Sequence, residues 1–178
     1  IYIVRDPRNI ISSIKNHYSL DSYEKAKKML FAKDQLIGTN PNEDKEKNFL
    51  TLIGSWDTHY NSWKNTKKNF LLIRYEDLII NIEKELNRIL DYLKTFFTIN
   101  VSKDKILRTI NTSSFDNLKY MEKKGLFKEN SFNKKTGKKK DFFNLGPNND
   151  WNKLLDKKIS MEIEEKFKIE MKELGYLN

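Results

Sequence analysis

Two short apolar runs constrain this chain more than anything else in it. IYIV at residues 1–4 is rich in β-branched residues and leads straight into Arg5, Asp6 and Pro7; FLLIRY at 70–75 repeats the pattern and is followed by a segment of helical spacing. Such runs read as buried strands, and Pro7 suits the first turn of the helix that follows. Two strand–helix units predict an α/β fold with a parallel sheet and flanking helices, because crossover helices cover both faces of such a sheet. Asn81 is placed to cap a helix whose Ile82, Leu86, Ile89, Leu90 and Leu93 share one face. Helical spacing also runs through 22–37, 47–67, 103–110 and 114–123. A last helix is expected from a Ser160 cap to Gly175, with Ile163, Phe167, Met171 and Leu174 on its apolar side. A parallel pair lacks independent stability at this size, so residues 1–178 are expected to form a single domain fragment, incomplete at its N-terminus.

Composition narrows the function classes. Hydrophobic residues make up 38% and charged residues 33%, and no apolar run approaches the ~20 residues a spanning helix needs. With no Cys, disulfides and thiolate chemistry are excluded, and two His, at 17 and 59, make no metal-ligand cluster. A cytoplasmic protein is the expectation. The net charge of +9 is concentrated: nine Lys lie between Lys119 and Lys140, against Glu122 and Glu129. That stretch reads either as a solvated lysine loop or as a flap over an anionic ligand. It contains no Arg, which argues against a nucleic-acid surface.

In open α/β sheets ligands sit at the carboxyl ends of the strands, and both ends here carry chemistry. Arg5 follows the first strand, and Ser13 lies eight residues later on the predicted helix, so a guanidinium fork and a hydroxyl can converge on one phosphate. Read from the residues alone, Arg5 fits an ion pair with Asp6 equally well. Tyr75, ending the second run, fits either a purine contact or an ordinary core-boundary position.

Together these segments resemble the sulfotransferase family that uses 3′-phosphoadenosine 5′-phosphosulfate (PAPS), whose fold is related to that of the P-loop kinases. VRDPRNIISS resembles the family's 3′-phosphate segment, with Arg5 and Ser13 at the phosphate-binding positions; LLIRYEDLIINIEKELNRIL resembles the strand and helix with the adenine-side Tyr, here Tyr75. SSFDNLKYMEKKG is similar to the segment lining the nucleotide, which makes Ser113, Ser114, Phe115 and Leu118 cofactor neighbours. FFNLGPNNDWNKLL has the shape of the C-terminal phosphate loop, with Gly146, Asp150 and Trp151 at the matching positions. The resemblance implies transfer of a sulfuryl group to a hydroxyl or amine of a small-molecule or glycan acceptor, with this chain holding the adenosine and 3′-phosphate side. In the family, the phosphosulfate loop with its Lys and the His that deprotonates the acceptor lie upstream of the strand matching IYIV, and neither is in this chain. No catalytic residue is therefore assigned; His17 and His59 fall outside the matching motif.

One departure bears on the phosphate. Asn144 and Leu145 stand where the family usually carries Arg-Lys, and Lys138, Lys139 and Lys140 are the expected substitutes. The acceptor pocket is expected from 19–50 and 125–143. Two other readings remain: a nucleoside or small-molecule kinase on the related fold, and a non-enzymatic basic binding module.

Overall fold

The computed structural model describes residues 1–38, 51–66, 70–127, 131–132 and 136–178. Strand β1 (Tyr2–Val4) is followed by helices α1 (Pro7–His17) and α2 (Tyr23–Phe31), a short strand β2 (Leu36–Ile37), its partner β3 (Thr51–Leu52), and α3 (Trp56–Lys64). Strand β4 (Leu72–Arg74) then leads through α4 (Tyr75–Ile80), α5 (Ile82–Lys94), α6 (Lys103–Thr112) and α7 (Phe115–Lys123) to β5 (Ser131–Phe132) and β6 (Lys139–Lys140). A 3-10 turn (Gly146–Asn148) and helices α8 (Trp151–Leu154), α9 (Lys157–Lys166) and α10 (Lys168–Glu173) close the chain.

The two apolar runs pair in parallel, Tyr2 with Leu72, Ile3 with Ile73 and Val4 with Arg74. On one face of this pair, Val4 joins Ile11, Trp56, Tyr60, Ile163, Phe167 and Met171 in a buried core. Helix α1 starts as expected: Asp6 accepts the Arg8 amide at 2.8 Å, and Pro7 occupies the first turn, where its missing N–H would have no helical partner. Asn81 caps α5 through the amide of Lys84. The apolar stripe Ile163, Phe167, Met171 and Leu174 is buried throughout, and Gly175, at φ +72°, ends it.

Other boundaries differ from the sequence reading. The helix expected over 22–37 stops at Phe31, because Leu36 and Ile37 are taken into an antiparallel ladder with Thr51 and Leu52. The helix expected over 47–67 is confined to Trp56–Lys64; Gly54 breaks the chain in front of it at φ +65°, and 47–50 and 67 lie outside the described residues. The second strand is shorter than 70–75, since Tyr75 already begins α4. The last helix is capped by Asp156, not Ser160: the Asp156 carboxylate accepts the Ile159 amide at 2.9 Å, while the Ser160 hydroxyl donates back to the Lys157 carbonyl. It also divides at Phe167, which separates α9 from α10.

Candidate functional site

A cleft of about 670 Å³ opens at the carboxyl ends of β1 and β4. Four segments wall it: the β1–α1 turn and α1 itself, the start of α4, the beginning of α7, and the loop 141–146. The structure brings Arg5, Ser13, Tyr75, Ser113, Phe115, Leu118 and Gly146 to this one cleft. Ser114 is not among its lining residues; its hydroxyl caps α7, accepting the Asn117 amide and donating to the Asn111 carbonyl.

Arg5 is held by its backbone and left free at its head. Its carbonyl accepts the Trp56 indole N–H at 3.1 Å, and its guanidinium lies 4.2 Å above the centre of the Tyr75 ring. The Arg5 Nε is buried and has no hydrogen-bond partner among the described residues. Asp6, the acid next to it in the chain, is gripped by Arg8 instead, through Nε at 3.0 Å and Nη2 at 2.7 Å. Arg8 also reaches Glu164 at 2.6 Å and the Tyr176 carbonyl at 2.9 Å, and its guanidinium stacks over Trp151 at 4.1 Å. Burial works against the Arg8 charge, but Asp6 and Glu164 outweigh it and raise the pKa further above its ordinary value. An unpartnered buried donor such as the Arg5 Nε costs ~1–3 kcal/mol, and its place in a cleft wall leaves it open to an acceptor from outside the protein; the Arg74 Nε is likewise unpartnered, but away from the cleft.

Ser13 points from the same helix with no protein partner for its hydroxyl among the described residues. Its neighbour Ser12 is buried and takes the structural role, donating to the Asn9 carbonyl at 2.9 Å and the Asn149 side-chain oxygen at 2.8 Å. Asn149 in turn donates to the Asn9 carbonyl, and Asn9 accepts the Trp151 amide, so the segment after Gly146 is latched to α1. Gly146 is required here for two reasons: its φ is +53°, and a Cβ would run into the Phe115 ring.

Several residues in the wall escaped the sequence reading. His17 lines the cleft one helical turn beyond Ser13, and the i, i+4 spacing on α1 is the signal that could have found it. Asp141, Phe142 and Phe143 line it too, and the last two are fixed by Glu122, a buried carboxylate that accepts the Phe142 amide at 2.5 Å and the Phe143 amide at 3.0 Å. Nothing in a run of lysines signals that role. Lys140, one of the expected substitutes for the Arg-Lys pair, serves the end of α1: its ammonium donates to the carbonyls of Asn16 and His17 and to the Ser19 hydroxyl. Burial pulls its pKa below the usual lysine value. Lys138 and Lys139 are exposed and outside the cleft wall. His59 lies away from the cleft, its Nδ1 hydrogen-bonded to the Tyr2 hydroxyl at 2.9 Å. No group of three or more His, Cys, Asp or Glu that suits a metal ion occurs among the described residues.

The model of the sulfotransferase domain family matches residues 1–175. The chain belongs to the sulfotransferase family. Among solved structures it is similar to mouse sulfotransferase SULT7A1, a structure complexed with PAP, at a TM-score of 0.60 and 21% identity, over 96% of this chain and 56% of that one. At that identity the likeness is one of fold: α/β, with a parallel sheet flanked by helices. The chain spans little more than half the length of this relative. No match is found among curated proteins. No helix among the described residues is long and apolar enough to cross a membrane.

Proposed function

We propose that this cleft is the nucleotide half of a sulfotransferase site, holding the adenosine and 3′-phosphate of PAPS while the sulfuryl group moves to a hydroxyl or amine of a small-molecule or glycan acceptor. The observation that carries the reading is the free guanidinium of Arg5, stacked on Tyr75 and sharing its cleft with the Ser13 hydroxyl. In a cytoplasmic sulfotransferase, PAPS when bound supplies a sulfuryl group on a phosphate leaving group. Arg5 and Ser13 would then hold the 3′-phosphate, the first as a planar fork of charged donors and the second as a single donor. Phe115, Leu118 and Tyr75 present apolar and aromatic faces suited to an adenine ring. Ser113 already donates to the Thr109 carbonyl at 2.7 Å, so its oxygen is left to accept. Gly146 lets the loop backbone lie against Phe115, which narrows the cleft where a side chain would fill it. These residues bind and orient; the positions they set are what an in-line transfer needs before any bond changes. The family favours this reading over the kinase and basic-module alternatives.

Calorimetry with adenosine 3′,5′-bisphosphate and adenosine 5′-monophosphate tests it. The bisphosphate should bind the tighter of the two, and Arg5→Ala should remove that preference by a factor of about ten to a hundred, the range of one charge-assisted hydrogen bond, without lowering the melting temperature. Equal affinity for both nucleotides, or an Arg5→Ala protein that binds as before, would sink the assignment.

A further inference from the structure

A phosphate monoester near neutral pH carries about −1.5 to −2 charges, and Arg5 offers it one. Asn144 and Leu145 bring no charge to the loop that faces it. We propose that Lys119 is the second cation of this site and sets its preference for a nucleotide with a 3′-phosphate. The inference rests on the reading of the cleft given above and adds a residue to it.

The placement follows from α7. Phe115 and Lys119 are one turn apart on the same face of that helix. The Lys119 Nζ rides 5.6 Å from the centre of the Phe115 ring and 3.5 Å from the Asn144 carbonyl oxygen. It therefore stands at the very loop where the family pattern would put Arg-Lys, and beside the ring that closes on Gly146. Its stem is half-buried, and among the described residues no carboxylate pairs with it. Lys119 stands behind the lining residues Phe115 and Asn144 and is not itself one of them; its ammonium has three donors, and one long bond to a carbonyl leaves two for a phosphate once the side chain turns into the cleft. Other basic candidates among the described residues are placed differently. Lys140 is occupied by the C-terminal carbonyls of α1, Lys138 and Lys139 are exposed, and the Lys124 ammonium sits over Tyr120 at 5.6 Å.

The test compares wild type with Lys119→Met, Lys119→Gln, Lys119→Arg and the double variant Lys138→Ser/Lys139→Ser, titrated with adenosine 3′,5′-bisphosphate and with adenosine 5′-monophosphate at low and moderate salt. Lys119→Met and Lys119→Gln should lose about ten- to a hundredfold in bisphosphate affinity and keep monophosphate affinity within about twofold. The salt dependence of bisphosphate binding should flatten in both. Lys119→Arg should restore most of the preference, and the double variant should behave as wild type. A Lys119→Met or Lys119→Gln protein that still prefers the bisphosphate as wild type does would overturn the role of Lys119 and leave the cleft reading standing. Equal loss on both nucleotides would overturn it as well, since that is the mark of a general packing defect. If wild type shows no preference at all, the cleft reading fails, and the role of Lys119 fails with it.

Discussion

Arg5 and Arg8 stand three residues apart in one RDPR stretch and belong to two different regions of the molecule. Arg8 lies in a polar seam between α1 and the C-terminal helices, its side chain 8% exposed, with two carboxylates, a carbonyl and an indole ring around it. Glu76 extends the seam, accepting the Asp6 amide at 3.0 Å and the Tyr176 hydroxyl at 2.9 Å. Burial first, and then the Glu76 charge, push the Tyr176 pKa well above the ordinary tyrosine value. Arg5 faces the cleft with an aromatic ring under it and, among the described residues, no ion pair to an acid. The contrast teaches that a charged group in this fold is structural when its partners are all internal and available for binding when they are not. Residue type alone does not separate the two.

Removing Arg8 should break this contrast most strongly. Arg8→Ala leaves Asp6, 5% exposed, as an unpaired buried carboxylate, and losing one partner of such a pair costs about 3–5 kcal/mol; urea denaturation should show a loss of that size. Arg8→Lys should recover little of it, because an ammonium cannot match the two oxygens of Asp6 and reach Glu164 and Tyr176 together. A change of less than about 1 kcal/mol would mean the seam does not carry the fold. A smaller effect is expected at the point where seam and cleft meet. Gly146→Ala should lose about 1–3 kcal/mol of stability through crowding against Phe115 and the left-handed backbone, and it should weaken bisphosphate binding as the loop backs away from the ring. Stability and binding that both match wild type would show that the loop moves freely of Phe115.

The smallest effect is a pH dependence remote from both regions. Burial disfavours the charged ring and holds the His59 pKa below its ordinary 6.5. The unfolded chain therefore takes up a proton before the folded one does. The contribution of His59 is complete above pH 6.5 and falls away as pH drops from there toward the folded value. Thermal melts between pH 7.5 and 5.5 should show a modest decline in melting temperature that His59→Gln reduces. An equal decline in that variant would assign it to other groups.

The elements differ in how readable they were. Pro7 after Asp6, and Asn81 before an apolar stripe, are caps whose signals lie within three residues of the helix they begin, so local chemistry decides them. Ser160 carried the same signal and did not cap, because Asp156 four residues earlier offered a carboxylate to the Ile159 amide and the helix began there. The strand Leu36–Ile37 was hidden in a helical pattern, since its ladder partner lies across a loop in Thr51–Leu52. In the site, Arg5, Ser13 and Tyr75 were legible because strand ends and helix spacing place them. Glu122 and Lys140 were not, because their partners, Phe142 and Phe143 for one and the end of α1 for the other, come from distant segments.

The sequence by itself determined the strand–helix order, the apolar faces of α5 and the C-terminal helices, and the approach of Arg5 and Ser13 to one end of a parallel sheet, since periodicity and capping act over a few residues. Only the tertiary structure decided which arginine is free, which lysine stands by the loop at Asn144, and why Gly146 admits no side chain. Those outcomes depend on contacts such as Arg8 with Glu164, 156 residues apart, which exist only once the chain has closed on itself. A pairing of charges across that span has no periodicity to announce it; its energy comes from distance and burial, and both are properties of the folded chain.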